Sequence, residues 1–339
     1  MRKQKLISII IVNWNGLNWL KGCFPTLARQ TYKNTQWILV DNASTDRSVA
    51  WTKAHYPKTK IIVNEKNLGF SHANNIGYKQ AKGDYILFLN NDTETTPTFL
   101  EEFVNVLESD PSIGGAQGKL LLMDDHTRLD SVGAFLTPTG FLYHYGFRQK
   151  DSPKYNKQID LYTAKGACMI FKKDVLQKIE VDGWILDPDY FAYFEETDMC
   201  HRVWLSGHRI VYAYKSVVYH KMGATSSGMN NAFVQYHSFK NRINSYCKNV
   251  GLYHLMLILP VHLFFCVGVT FALLVTSRYK TSWSIVKAIL WNIRNMSSTL
   301  RKRKYIQTTI RSVNDRVFWH IIWRNIGLAI FLREFITYI

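Results

Sequence analysis

Four short apolar runs rich in β-branched residues, Leu6–Val12, Trp37–Val40, Ile61–Val63 and Tyr85–Leu89, recur within the first ninety residues. They are nearly continuous rather than alternating, so each strand must be covered on both faces, as in a parallel sheet flanked by helices. Between them lie stretches of helix length, Leu17–Gln30, Thr45–His55 and Ser71–Ala81, which suit βαβ crossovers. Ser44 or Thr45 can cap the second of these, and Pro97 opens a further helix that runs to Ser109. The pattern predicts a doubly wound α/β domain whose ligand crevice lies beyond the carboxyl ends of the strands. From about Ile113 to His220 shorter strands, Gly-rich turns and one acidic helix should complete the sheet and form the second side of that crevice.

Charge separates the two ends of the chain. From Arg278 onward twelve Lys or Arg face two acids, a net of +10 within a total of +17. Such a basic tail suits an anionic surface. Just before it, Asn249–Ser277 contains no formal charge and Leu255–Thr276 is strongly apolar, long enough to cross a bilayer. Pro260 and His262 interrupt that run, and translocating the basic segment behind it opposes the positive-inside rule. An in-plane or re-entrant arrangement is therefore expected, with a catalytic unit over residues 1–235 and a helical membrane-association region over 236–339. Val317–Ile339 reads as an amphipathic helix, at the interface or on the protein's own core. The five cysteines are scattered without a C-x-x-C pair, which suits a reducing compartment. The apolar run at the N-terminus ends at Asn13-Trp14-Asn15-Gly16 without a small-residue cleavage site, and reads as a first strand rather than a signal peptide.

The polar residues that could carry chemistry fall at the ends of the strands. Asn90-Asn91-Asp92 follows the most apolar one, where a carboxylate can bind a hard divalent cation or simply cap a helix. Asp41 can accept from a nucleobase N–H or ribose hydroxyls, whereas Ser44 and Asp46 also suit an Asx turn and a helix cap. In the acidic helix Glu195, Glu196 and Asp198 repel one another, which tends to raise a carboxyl toward the range a general base needs. Asp198 and Arg202 are four apart and can pair on one face, leaving Glu195 and Glu196 to project elsewhere. His220 closes a strand-like segment before a Gly/Ser-rich stretch, Met222–Gly228.

Taken in order, these motifs resemble family 2 glycosyltransferases with the GT-A fold. The matching features are Ser8–Val12 with Asn13, Val40–Asp46, Asn67-Leu-Gly-Phe70 with Ala73–Asn75, and Leu89–Thr93. Gly166-Ala167, Asp187 with Phe191, Tyr193–Asp198, Arg202 and His220 continue the series, so the resemblance spans about residues 6–228. The rhamnosyltransferase and galactofuranosyltransferase branch is the most similar. The resemblance implies a mixed α/β sheet, a UDP- or dTDP-sugar donor, and transfer of one sugar with inversion to a hydroxyl of a lipid-linked or cell-envelope glycan. It places Asp41 on the nucleobase and Asn67, Gly69 and Asn74 along the sugar diphosphate, with Asn13, Ser44, Asp46 and Asn91 also among the substrate-binding residues. Asp92 and His220 would hold Mn2+ or Mg2+, and Asn90 stands where the family has the first acid of its D-x-D element. Glu196 takes the place of the catalytic base with Glu195 as its alternate, and Asp198 and Arg202 complete the substrate-binding set.

Other readings fit less well. A nicotinamide dehydrogenase needs G-x-G-x-x-G after the first strand, where this chain has Asn13-Trp-Asn-Gly-Leu-Asn-Trp19. A processive synthase normally carries Q-x-x-R-W, which is absent. A catalytically inactive scaffold would lose its acids, and nucleic-acid binding rests on the tail's charge alone, so no nucleic-acid partner is expected. Action at the cytoplasmic face of the plasma membrane is the expected setting.

Overall fold

The computed structural model describes residues 4–223 and 230–327. Residues 224–228 of the Gly/Ser-rich stretch and 328–339 of the terminal amphipathic segment lie outside the described residues. The first ninety residues form strands β1 (Ile7–Asn13), β2 (Thr35–Asp41), β3 (Lys60–Val63) and β4 (Tyr85–Leu89). Helices α1 (Leu17–Ala28), α2 (Ser48–His55) and α3 (Gly69–Gln80) connect them. Then come β5 (Thr93–Thr95), α4 (Phe99–Ser109), β6 (Ile113–Leu122), β7 (Leu129–Ser131), β8 (Ala134–Leu136), β9 (Leu142–His144), β10 (Cys168–Lys172) and α5 (Lys173–Lys178). Helix α6 (Glu195–Leu205) and strand β11 (Arg209–His220) complete this part.

The main sheet runs β3-β2-β1-β4-β10-β6-β11-β5, with β7 added on β6. Its first four strands are parallel; β10 enters antiparallel between β4 and β6, and β11 returns parallel to β6. The continuous apolar runs have a direct physical cause. In β1, Ile10 packs into the core on one face of the sheet, whereas Ile7, Ile9 and Ile11 pack into the core on the other. Strand β4 divides its residues in the same way, with Phe88 on one side and Leu87 and Leu89 on the other. Period-two alternation is present, but both of its faces are apolar.

The C-terminal third is helical: α7 (Asn231–Asn249), α8 (Leu252–Val275), α9 (Tyr279–Arg294), α10 (Met296–Tyr305) and α11 (Asp315–Ile322). Part of it belongs to the α/β core. Ile306, Ile310, Phe318 and Ile322 lie in the same apolar cluster as Ile10 and Phe88, and Phe318 stacks on Trp204 of α6 at 5.5 Å. Residue 235 therefore marks no break in the core, and the described part of the terminal amphipathic segment packs inward. The hairpin α8–α9 differs. Along α8 only Ile258, His262, Cys266, Val269 and Leu273 are buried, a single helical stripe turned toward the protein. His262 is on that stripe and its Nδ1 lies 3.0 Å from the Thr139 carbonyl oxygen, while Pro260 is accommodated within a continuous helix. Leu255, Leu259, Leu263 and Phe265 flank the stripe half-buried, and the outer face of α8, with Leu257, Phe264, Val267 and Phe271, is exposed and apolar.

Candidate functional site

Strand register brings the site together. Asn13 at the end of β1 lies opposite Asp41 at the end of β2, and Thr93 pairs with His220, so Asp92 and His220 become neighbours. A cleft of about 350 Å³ opens beyond these ends. Asn67, Gly69, Asn90, Asn91, Asp92, Glu195, Glu196 and His220 all line it, as do Trp14, Lys165 and Tyr193. Trp14 is 46% exposed and offers a flat apolar surface at that edge.

Asn13, Asp41, Ser44 and Asp46 form the floor beside the cleft rather than its lining. The Asp41 carboxylate accepts from Asn13 Nδ2 at 2.9 Å, Ser44 Oγ at 2.6 Å and the Ser44 backbone N–H at 2.8 Å. Asn13 Oδ1 in turn accepts from Asn91 Nδ2 at 2.8 Å, which couples the ends of β1, β2 and β4. Asp46 accepts from the backbone N–H groups of Leu17 and Ser48, the first residues of α1 and α2. Arg47 is the N-cap residue of α2 and gives no side-chain bond, so Asp46, one position earlier, satisfies the first helical N–H in place of Ser44 or Thr45 as expected from the sequence. Gly69 has φ +78°, and a Cβ there would lie 2.3 Å from the Phe191 carbonyl oxygen, so the close approach of α3 to the 191–193 segment needs glycine. Asn67 Oδ1 fixes that turn by accepting from the Gly69 N–H.

Three expected substrate contacts are placed elsewhere. Asn74 is buried and donates to the Phe70 carbonyl within its own helix. Its neighbour Asn75 makes the long-range contact, donating to the Leu186 carbonyl and accepting from the Leu186 N–H. Asp198 and Arg202 pair at 3.2 Å on the face of α6 turned from the cleft. Arg202 also donates to the carbonyls of Ile179 and Ile185, and Asp198 meets Lys248 at 3.1 Å. Lys248 and Lys302 also bind Asp187, so this network ties α6 to α7 and α10. Asp198 and both terminal nitrogens of Arg202 are thus engaged by structural partners, away from the cleft.

The two glutamates at the start of α6 have the opposite environment. One oxygen of each, Oε2, is buried without a hydrogen-bond partner. Burial raises the Glu196 carboxyl to about 7, against the opposing pull of its own backbone N–H and of Lys165. Burial also raises Glu195, and the charge of Glu196 adds to the effect.

Asp92 presents a buried Oδ1 without an aligned donor, 3.4 Å from His220 Nε2. On its other side, His220 Nδ1 lies 2.6 Å from Asp130 Oδ2, and Asp130 Oδ1 accepts from Lys165 Nζ at 2.6 Å. Burial opposes the charge on His220, but Asp130 and Asp92 outweigh it and raise its pKa. Asp130 and Lys165 escaped the sequence reading because Asp130 lies 90 residues before His220, in a short strand with no motif around it. A cation fits this pair, with an orphan carboxylate oxygen beside an imidazole nitrogen. Among the described residues no third His, Cys, Asp or Glu joins them, so further ligands would come from substrate oxygens or water.

Comparison with known proteins settles the family. The sequence profile described as glycosyl transferase family 2 matches residues 8–180. This chain is a family 2 glycosyltransferase. An uncharacterized glycosyltransferase of Haemophilus influenzae is 33% identical over 108 residues, covering 32% of this chain and 36% of that relative. An uncharacterized glycosyltransferase of Bacillus subtilis is 36% identical over 105 residues, or 30% and 38% of the two chains. The matched stretch thus spans little more than a third of these relatives. The fold compares more widely. A mannosyltransferase of Pyrobaculum calidifontis, solved with GDP-Man and Mn2+, superposes with TM-score 0.54 at 15% identity, covering 86% of this chain and 88% of that one. TarS residues 1–349 of S. aureus, solved with UDP-GlcNAc, superposes with TM-score 0.51 at 17% identity, covering 74% and 69%. The mixed sheet of this family 2 glycosyltransferase is accordingly a GT-A fold.

Proposed function

We propose that this family 2 glycosyltransferase moves one sugar from a nucleoside diphosphate donor to an acceptor hydroxyl, with Glu196 as general base. The observation that carries this reading is the Glu196 carboxyl, raised to about 7 in a cleft that also contains the Asp92–His220 pair. A base poised near neutrality is half ionised where it must work, and its unpartnered oxygen is free to take a proton. Glu196 accepts the acceptor proton as the acceptor oxygen bonds to the anomeric carbon. The bond to the diphosphate breaks with its electron pair leaving on phosphate oxygen, and the configuration inverts. A divalent cation on Asp92 and His220 would supply charge neutralisation for that leaving group. The two structures above contain GDP-Man with Mn2+ in one case and UDP-GlcNAc in the other, which supports a nucleotide-sugar donor here. Trp14 would stack on the nucleobase above the Asn13–Asp41–Ser44 floor, and Asn67, Gly69 and Asn91 would meet the sugar diphosphate.

The α8–α9 hairpin supports action at a membrane. Helix α8 has 24 residues with a mean hydropathy of 2.4 in its most apolar window, 28% of which is buried. Phe264 and Phe271 on α8 and Trp283 on α9 are exposed, beside the basic residues Arg278, Lys280 and Lys287. One stripe against the protein and the other faces apolar suit a helix lying in the plane of an anionic membrane, with a lipid-linked or envelope glycan as acceptor. The test is release of nucleoside diphosphate from a panel of UDP-, dTDP- and GDP-sugars with Mn2+, with and without membrane extract. Release stimulated by the extract for one donor is expected; no release from any donor would overturn the reading.

A further inference from the structure

We infer that Asp130 is a positioning residue for the cation site, orienting the His220 ring so that Nε2 is left free for the ion. The inference rests on the donor-site reading above. Asp130 is fully buried in β7, which is held against β6, and β6 pairs with β11, the strand that ends at His220. Its carboxylate is bound at both oxygens, by Lys165 Nζ and by His220 Nδ1, each at 2.6 Å. A carboxylate that is ion-paired with Lys165 through its other oxygen acts as an acceptor, so the proton of the short contact belongs to His220 Nδ1. In the neutral ring the lone pair is then on Nε2, the nitrogen that faces Asp92 Oδ1 at 3.4 Å.

The chain Lys165–Asp130–His220 thereby fixes both the tautomer and the direction of a ligand, which a carboxylate outside the coordination sphere commonly does for a metal-bound histidine. A carboxylate present only to neutralise Lys165 would not need the second contact, and its loss would change stability without changing cation affinity. Lys165 also lines the cleft and lowers the Glu196 carboxyl, so one cation faces both the metal pair and the base.

The experiment is Mn2+ titration of the full chain, alone and with UDP, dTDP or GDP present, followed by electron paramagnetic resonance, for wild type and Asp130→Asn. The expected result is a Kd weaker by roughly 10–100-fold in the variant. Equal affinity overturns the inference while leaving the donor site standing. Failure of the wild type to take up Mn2+ overturns the donor-site reading and this inference together. Should Asp130→Asn fail to fold, nitrogen-15 NMR of the wild-type His220 ring at pH 9 decides. A proton on Nδ1 supports the assignment, and a proton on Nε2 refutes it.

Discussion

Helix α6 carries two sets of charged side chains within eight residues, and their fates differ. On the side facing the cleft, Glu195 is buried and Glu196 half-buried, each with one buried oxygen that has no partner, and desolvation drives both carboxyls up. On the other side, burial also acts on Asp198, but Lys248 and Arg202 outweigh it and hold its carboxyl below the usual range. Desolvation is common to both sets, and the presence of a cation decides the outcome. A carboxylate that is buried and paired holds elements together, whereas one that is buried and unpaired is strained toward taking a proton.

The contrast is broken most forcefully by removing the unpaired charge. Glu196→Gln should lower transfer roughly 10²–10⁴-fold, the usual contribution of a general base. Nucleotide binding should change little, because the swap preserves shape. Equal turnover in the variant would move the base elsewhere. Asp198→Asn is the complementary change. It leaves Lys248 and Arg202 buried without their shared carboxylate, for a destabilisation of about 3–5 kcal/mol. Chemical denaturation should register that loss, while the folded fraction retains turnover; an unchanged midpoint would remove Asp198 from the structural network.

The pH dependence sharpens the comparison. Glu196 must be ionised to act, so kcat/KM should rise with pH and level off above about 7. Stability should move the other way. Between the ordinary 4.5 and about 7 the folded state retains a proton that the unfolded chain releases, so raising pH through this window weakens the fold. Glu196→Gln should therefore exceed wild type in stability at pH 8 by about 1–3 kcal/mol and match it near pH 4.5. A variant no more stable at pH 8 would contradict the raised carboxyl. The smallest effect is expected from Glu195→Gln, which removes a neighbouring carboxyl but not the base. Transfer should fall by less than about tenfold, with the acid limb near 7 little moved, because Glu195 is raised further and still holds its proton where Glu196 ionises; a loss equal to that of Glu196→Gln would exchange their roles.

Much of the fold was legible because local chemistry is sufficient for it. The runs at Leu6–Val12 and Tyr85–Leu89 coincide with β1 and β4 to within a residue, since burial on both faces leaves so plain a mark. Of the polar residues at or just past the strand ends, Asn90, Asn91, Asp92 and His220 reach the cleft, whereas Asn13 and Asp41 lie in the floor beside it. What remained hidden depends on distant partners. Asp198 and Arg202 read as site residues because Lys248, about fifty positions later, gives no sign of reaching back to them. Asp130 and Lys165 lack any local pattern, and only the pairing of β7, β6 and β11 joins them to His220. The choice between Asn74 and Asn75 turned on helix phase, which adjacent asparagines do not reveal. The inward packing of Phe318 and Ile322 was likewise indistinguishable from a lipid-facing stripe until Trp204 was in place.

The central claim, a nucleotide-sugar site completed by a cation on Asp92 and His220, is tested most directly by calorimetric titration of the full chain. UDP, dTDP and GDP would each be titrated with and without Mn2+. The account predicts that one nucleotide binds, and that its binding weakens by at least about tenfold, the equivalent of 1.4 kcal/mol, when Mn2+ is withheld. Absence of binding by all three, with the protein folded and Mn2+ present, would contradict it.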